Sequence, residues 1–306
     1  MEQNKIYLSV VLSTYNEEKY IAESIQSVLD QTYPYFEFII VNDGSTDGTL
    51  DIIRSFDDQR IVIIDKQNTG LPDSLNKGIE RAKYDWIARM DGDDICLPER
   101  FEKQVELIKA GYDVIGGQFK TIDENGDFIS SGESHYPLSP WKSMFYAHLG
   151  WTPLIHPSAV INKKKLLAIG CYDTNFKAAQ DIDLWLRLSH YCRIANVPNV
   201  ILHYRKHKNS ITSNRKELQT RLSFLAFMKY CLRIDKSLSP IEFEQFKNMI
   251  DRMKLTEKNY LKFQKCHDPN GSFQRIRQVL YYAWRTFLLV KFRITRTKVL
   301  SNFSAK

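Results

Sequence analysis

The 306-residue sequence predicts an α/β protein: a mostly parallel sheet flanked by helices, followed by a helical C-terminal extension. Three observations carry that reading. Apolar, β-branched-rich runs alternate with segments of helical spacing through residues 1–120. Each of those runs ends in a polar loop, and most of the loops are acidic. The charge also divides: residues 201–306 hold 23 Lys+Arg against 7 Asp+Glu, whereas residues 1–200 hold 20 against 29. An acidic body with a basic attachment is the simplest organisation.

In chain order, the expected strands are Tyr7–Leu12, Phe36–Val41, Ile61–Ile64 and Trp86–Met90. Helical spacing separates them at Glu18–Gln31, Thr49–Phe56 and Ser74–Lys83, and Pro98–Ala110 follows the last strand. A strand–helix repeat of this length implies crossover connections and hence parallel pairing. Further on, Gly116–Ile129 reads as a hairpin about the Asn125-Gly126 turn. Leu154–Ile161 reads as a strand, Ile182–Ser189 as a helix, and Ile194–Tyr204 as extended chain interrupted by Pro198. Arg215–Ile234, Pro240–Leu255 and Ser272–Arg296 suit helices, so the chain divides into a body over 1–210 and an extension over 211–306.

Composition narrows the class. Hydrophobic residues are 43% and aromatics 12%, which excludes wholesale disorder. The 5 cysteines are odd in number and lack CxxC spacing, against both a disulfide framework and a thiolate zinc site. The apolar run at Tyr7–Leu12 is too short for a secretory signal, and no long uncharged apolar stretch exists. The expectation is a cytoplasmic protein, soluble or peripheral on the inner face of the cell membrane.

Parallel sheets bind ligands at the C-terminal ends of their strands. There the sequence offers Ser13-Thr14-Tyr15-Asn16-Glu17, Asn42-Asp43-Gly44-Ser45, Lys66-Gln67-Asn68-Thr69-Gly70 and Asp91-Gly92-Asp93-Asp94. Three carboxylates in the four residues Asp91–Asp94 repel one another unless a cation sits among them. Hard oxygen ligands suit Mg²⁺ or Mn²⁺, usually shared with substrate phosphates. Helix capping by Asp93 or Asp94 is the alternative, and Asp43-Gly44 alone could equally be an ordinary turn.

The runs SVVLSTYNEEKYIAESIQSVLDQTYPYFEFIIVNDGSTDGT and NTGLPDSLNKGIERAKYDWIARMDGDDICLPERFEKQVELI resemble glycosyltransferase family 2. That family is the inverting group with the nucleotide-diphospho-sugar transferase (GT-A, Rossmann-like) fold. The similarity is greatest to bacterial enzymes that build O-antigen, capsule or exopolysaccharide. It covers about residues 6–210. The resemblance implies that Thr14, Glu17 and Asn68 contact the nucleotide of a UDP-sugar and that Asp43 meets its uracil or ribose. It places Asp91 near the ribose and Asp93 on a divalent metal, with Asp94 sharing either task. Family members often carry Arg-Asn after the NxG segment, where this chain has Leu75-Asn76; Arg89 is the candidate substitute.

The same resemblance matches Asp181, in Gln180-Asp181-Ile182-Asp183-Leu184-Trp185-Leu186-Arg187-Leu188, to the catalytic base, although Gln180 replaces the usual Glu. Asp183 is the alternative base, and a helix cap the alternative role for Asp181. His156 resembles a residue lining the acceptor side. In the segment His203–Thr212, Arg205 would grip phosphate and His207 would reach phosphate or metal.

The implied partners are a UDP-sugar donor and a glycan or undecaprenyl-diphosphate-linked acceptor. Ser272–Lys298, rich in Arg, Lys and aromatics, adds an anionic membrane surface. No nucleic-acid motif is present. The competing readings are a non-catalytic sugar-nucleotide or polysaccharide-binding relative, and a nucleotidyltransferase, for which STYNEE lacks the triphosphate loop.

Overall fold

The strands β1 (Leu8–Thr14), β2 (Phe36–Asn42), β3 (Ile61–Asp65) and β4 (Trp86–Asp91) run parallel in the order β3-β2-β1-β4. Every residue of β1 and β2 is buried, which is why both read as near-continuous apolar runs. The crossovers are α1 (Ile21–Leu29), α2 (Thr49–Arg54) and α3 (Leu71–Arg81), and α4 (Arg100–Lys109) follows β4. Pairing sets Thr14 opposite Asn42, Asn42 opposite Asp65 and Ser13 opposite Asp91. All the polar loops therefore leave the sheet along one edge.

These elements belong to a computed structural model that describes residues 5–148, 150–207, 216–231 and 237–252. The expected helix at Ser272–Arg296 lies outside the described residues.

Beyond β4 the sheet is mixed. β5 (Ile95–Cys96), β6 (Val114–Ile122), β7 (Phe128–Glu133), β8 (Val160–Asn162) and β9 (Ile194–Arg205) continue it as β4-β8-β6-β9-β5, with β7 paired to β6. β8 is antiparallel to both β4 and β6, whereas β6 and β9 are parallel. The hairpin about Asn125-Gly126 is β6–β7. β9 passes through Pro198 by bulging: Gly117 pairs with Val197 but Gln118 with Val200, so Pro198 and Asn199 stand exposed.

The expected strand Leu154–Ile161 shrinks. His156–Ser158 coils into a 3-10 turn around Pro157, which has no N–H for a ladder, and only Val160–Asn162 pairs. Two helices escape the periodicity reading, α5 (Pro140–His148) and α6 (Lys163–Ala168); the second is too short to display a period. The segment that carries Asp181 forms α7 (Gln180–Leu188).

Two described helices lie in the basic extension, α8 (Lys216–Cys231) and α9 (Pro240–Arg252). α8 is buried at every position from Leu222 to Tyr230, its polar Ser223 and Lys229 included. Its Leu225, Phe227 and Met228 share one core with Phe176, Ala179 and Leu186 of the body and with Phe243 and Phe246 of α9. Each of these Leu, Phe and Met side chains contributes about 1.5–3 kcal/mol by leaving water. No helix among the described residues is long and apolar enough to cross a membrane.

Candidate active site

The Asp91–Asp94 turn is held from several sides. A Cβ on Gly92 would stand 3.0 Å from Thr14 Oγ1 and 3.3 Å from Ile21, so the turn lies directly on β1 and α1. The Ser24 hydroxyl donates to Asp91 O at 2.8 Å, and the buried Arg100 donates to Arg89 O at 2.7 Å. From β9, the Arg205 backbone N–H donates to Asp94 Oδ1 and its Nε to Asp93 O, both at 2.8 Å. The two-residue β5, which pairs Ile95 with His203 and Cys96 with Leu202, is what draws β9 alongside.

The result is a crowd of acids. Ligand oxygens of Asp91, Asp93 and Asp94 lie within 4.8 Å of one another, as do ligand atoms of Glu17, Asp93 and His207. His207 Nε2 is 2.9 Å from Asp93 Oδ2 and its ring packs on Tyr20 at 5.1 Å. Burial, then the neighbouring Asp93, Asp91 and Asp47, pushes Glu17 from 4.5 up to about 8. Burial also raises Asp91, against the pull of the Arg89 guanidinium with which it forms an ion pair. Asp94 is driven well up by burial and then by Asp93 and Asp91; its Oδ2 is buried without a hydrogen-bond partner. Crowded carboxylates with an orphaned oxygen and one imidazole make a donor set suited to a hard divalent cation.

The neighbouring loops interlock. Asn16, at φ +56°, donates its N–H to Ser45 Oγ and accepts from Thr46 N, while Thr49 Oγ1 accepts from Glu17 N at 2.8 Å. Asp43 accepts from Lys66 Nζ at 2.5 Å and from Thr69 N and Gly70 N, both at 2.9 Å. Its carboxylate thus shapes the loop that carries the exposed Asn68. Gly44, at φ +72°, permits this approach, because a Cβ there would stand 2.7 Å from Asn68 N.

α7 starts at Gln180 behind Ala179, an alanine held at φ +56°. Asp181 lies within the first turn rather than at the cap, and no side-chain cap bond is made. Burial raises its pKa; Arg89 opposes that and Asp91 adds to it, so its carboxyl feels the acidic turn directly. Asp183 is different. Burial works against its charge, but Arg187, at 2.8 Å, and Lys229, at 3.1 Å, hold it below the usual range. His156 Nε2 lies 2.7 Å from Tyr172 Oη, and burial followed by Arg89 keeps the imidazole neutral. Asn76 clamps Tyr172 from α3, donating to its O at 2.9 Å and accepting from its N at 3.0 Å.

Of the residues expected from sequence, Glu17, Asp91, Asp93, Asp94 and His207 come together, Thr14 lies beneath them, and Arg89 pairs with Asp91 and acts on Asp181. Asp43 and Asn68 form the adjoining loop. Arg205 does not offer a free fork: its guanidinium is spent on Asp93 O, Asp123 O and Glu23, and stacks on Tyr20 at 4.7 Å. Arg100, Asn76 and Glu23 were not anticipated. Asn76 alone had a signal, its place one turn after the NTG loop, whereas Arg100 and Glu23 read as ordinary surface-helix charges.

A family model described as Glycosyl transferase family 2 matches residues 9–170. The O-antigen biosynthesis glycosyltransferase WbnJ of Escherichia coli is 31% identical over 242 residues, spanning 74% of this chain and 87% of that protein. Among solved structures, S. aureus TarS 1-349 in complex with UDP-GlcNAc is similar at TM-score 0.63 and 20% identity, covering 79% of this chain and 70% of that one. The mannosyltransferase PcManGT from Pyrobaculum calidifontis, in complex with GDP-Man and Mn2+, gives 0.57 at 17% identity, covering 97% and 85%. Those two likenesses show the shared GT-A fold.

Proposed function

The chain belongs to glycosyltransferase family 2 and is a glycosyltransferase; from that premise we propose that it moves a sugar, with inversion, from a UDP-sugar to a hydroxyl of a glycan or undecaprenyl-diphosphate-linked acceptor in bacterial surface-polysaccharide synthesis. The observation that carries the reading is a pair of unlike acidic environments in one hollow. Asp91, Asp93 and Asp94 crowd together with Glu17 and His207, while Asp181, which makes no ion pair among the described residues, feels the charges of Arg89 and Asp91.

Asp93, with His207, Glu17 and Asp91 or Asp94, would hold Mn²⁺ or Mg²⁺. When bound, such an ion neutralises the charge that a nucleoside diphosphate gains on leaving. The chain's own residues do the rest. The 66–70 loop and Asp43 border the nucleotide, with Thr14 and the 15–17 turn beneath it. Asp181 takes the proton from the acceptor hydroxyl as that oxygen bonds to the anomeric carbon. The bond from that carbon to the diphosphate breaks from the opposite face, and its electron pair leaves with UDP. A raised pKa suits Asp181, because a stronger base withdraws the proton more readily. The basic extension favours an acceptor presented at an anionic membrane surface.

Thermal melting in Mn²⁺ with UDP, GDP or UTP tests this. UDP with Mn²⁺ should raise the melting temperature, EDTA should abolish the effect, and Asp93→Ala should lose it. Preference for GDP would overturn the donor, as GDP-Man in the mannosyltransferase warns. Preference for UTP would favour nucleotidyl transfer. With UDP confirmed, UDP-sugars and lipid-linked acceptors in anionic vesicles identify the pair.

A further inference from the structure

We infer that Lys229, in helix α8 of the basic extension, is a positioning residue that aims the Asp181 carboxylate into the hollow. The inference rests on the reading of Asp181 as the base. Lys229 is 1% exposed, and its ammonium bonds Asp173 Oδ2 at 2.7 Å and Asp183 Oδ1 at 3.1 Å. Asp183 is itself 1% exposed and gives its other oxygen to Arg187 Nε at 2.8 Å. Asp173 accepts also from Asn175 N at 3.1 Å, Asn175 Nδ2 at 2.7 Å and Leu238 N at 3.3 Å. One buried cation therefore ties α8 to both ends of the segment 173–183 that carries Asp181.

Helix geometry turns this anchor into an aiming device. Residues two apart on an α-helix point about 200° apart around its axis. With Asp183 drawn inward onto Lys229 and Arg187, Asp181 must face the other way, where Arg89 and Asp91 act on it. Ala179 adds a second constraint. An alanine stays at positive φ only where its surroundings over-determine it, and Ala179 is buried in the core that α8 shares with Phe176 and Leu186. Stability alone does not call for ions here, because well-packed apolar side chains hold helices equally well. What charged bonds add is direction, and the direction they impose is rotation of α7 about its own axis.

The test uses the full chain carrying Lys229→Met with Asp173→Asn, which removes one cation and one anion and leaves Asp183 paired to Arg187. Three quantities are compared with wild type: Mn²⁺-dependent UDP affinity, UDP release from a mixture of UDP-glucose, UDP-galactose and UDP-N-acetylglucosamine, and amide exchange at residues 180–184. UDP affinity should stay within about 2-fold, kcat should fall about 10–100-fold with donor KM unchanged, and exchange at 180–184 should quicken while β1 is unaffected. Normal kcat with normal exchange would overturn the inference, and exchange alone decides if the mixture gives no turnover. If the double variant no longer binds UDP, Lys229→Arg carries the test, since its wider fork displaces the anchor without removing charge; UDP affinity should hold and 180–184 exchange should quicken, unchanged exchange again being fatal. Asp181→Asn is assayed in parallel. Normal turnover there means that the base reading has failed, whereas a slow Asp181→Asn beside a normal Lys229 variant refutes only the positioning role.

Discussion

Asp181 and Asp183 stand two positions apart on one helix, yet their surroundings give them opposite chemistry. Asp183 has two buried cations for partners and is held ionised, so it has no affinity to spare for a substrate proton. Asp181 has no ion pair among the described residues, and burial raises its pKa. Asp181→Asn should therefore leave Mn²⁺-dependent UDP binding nearly unchanged and slow transfer by about 10²–10⁴. Steady-state kinetics beside UDP calorimetry checks this, and equal losses in both would reassign Asp181 to donor binding. The motif singled out Asp181 in the sequence. The idleness of Asp183 was not legible, because its partner Lys229 lies 46 residues away.

Loops, rather than strands, carry the proposed donor side, and they are built to a shape. The Asn42–Ser45 turn and the 66–70 loop meet at Gly44, which has a left-handed φ and no room for a methyl group. Gly44→Ala should cost about 1–3 kcal/mol in urea unfolding and weaken UDP binding with it. Unaltered binding in that variant would show that the 66–70 loop does not border the nucleotide. The parallel strands were legible because each is an apolar, β-branched-rich run of sufficient length, fully buried in β1 and β2 though not in β3. The strand expected over Leu154–Ile161 was not, because Pro157 curls its first half into the turn that places His156 against Tyr172. β5 spans too few residues to leave any pattern.

Across the whole molecule, the acidic hollow makes folding sensitive to pH. Glu17 titrates near 8 in the folded state against an ordinary 4.5, so between those values the folded protein binds more protons than the unfolded chain. Stability then falls as pH rises from about 4.5 to about 8. The raised Asp91, Asp94 and Asp181 act in the same direction. Asp183, held low, acts oppositely: its contribution is full above the ordinary carboxylate range and is lost only as pH falls through its folded value. In EDTA the melting temperature should decline across pH 5–8. Mn²⁺ should restore it most at the alkaline end, and Glu17→Gln should flatten part of the slope. A rise over that interval in EDTA would contradict the crowding of these carboxylates.

The sequence by itself determined the α/β class, the parallel strands and the four loops at their ends, because buried parallel strands and helix periods are local patterns written in neighbouring residues. It also determined family membership, through motifs of a few residues each. Tertiary structure alone decided which charges meet. Arg205 turned from a phosphate ligand into a brace for Asp93 and Glu23, and α8 turned from an appendage into a core helix whose buried lysine reaches α7. Contacts between residues tens of positions apart depend on how layers pack, and charge–charge energies depend on distance and burial, which no local pattern encodes.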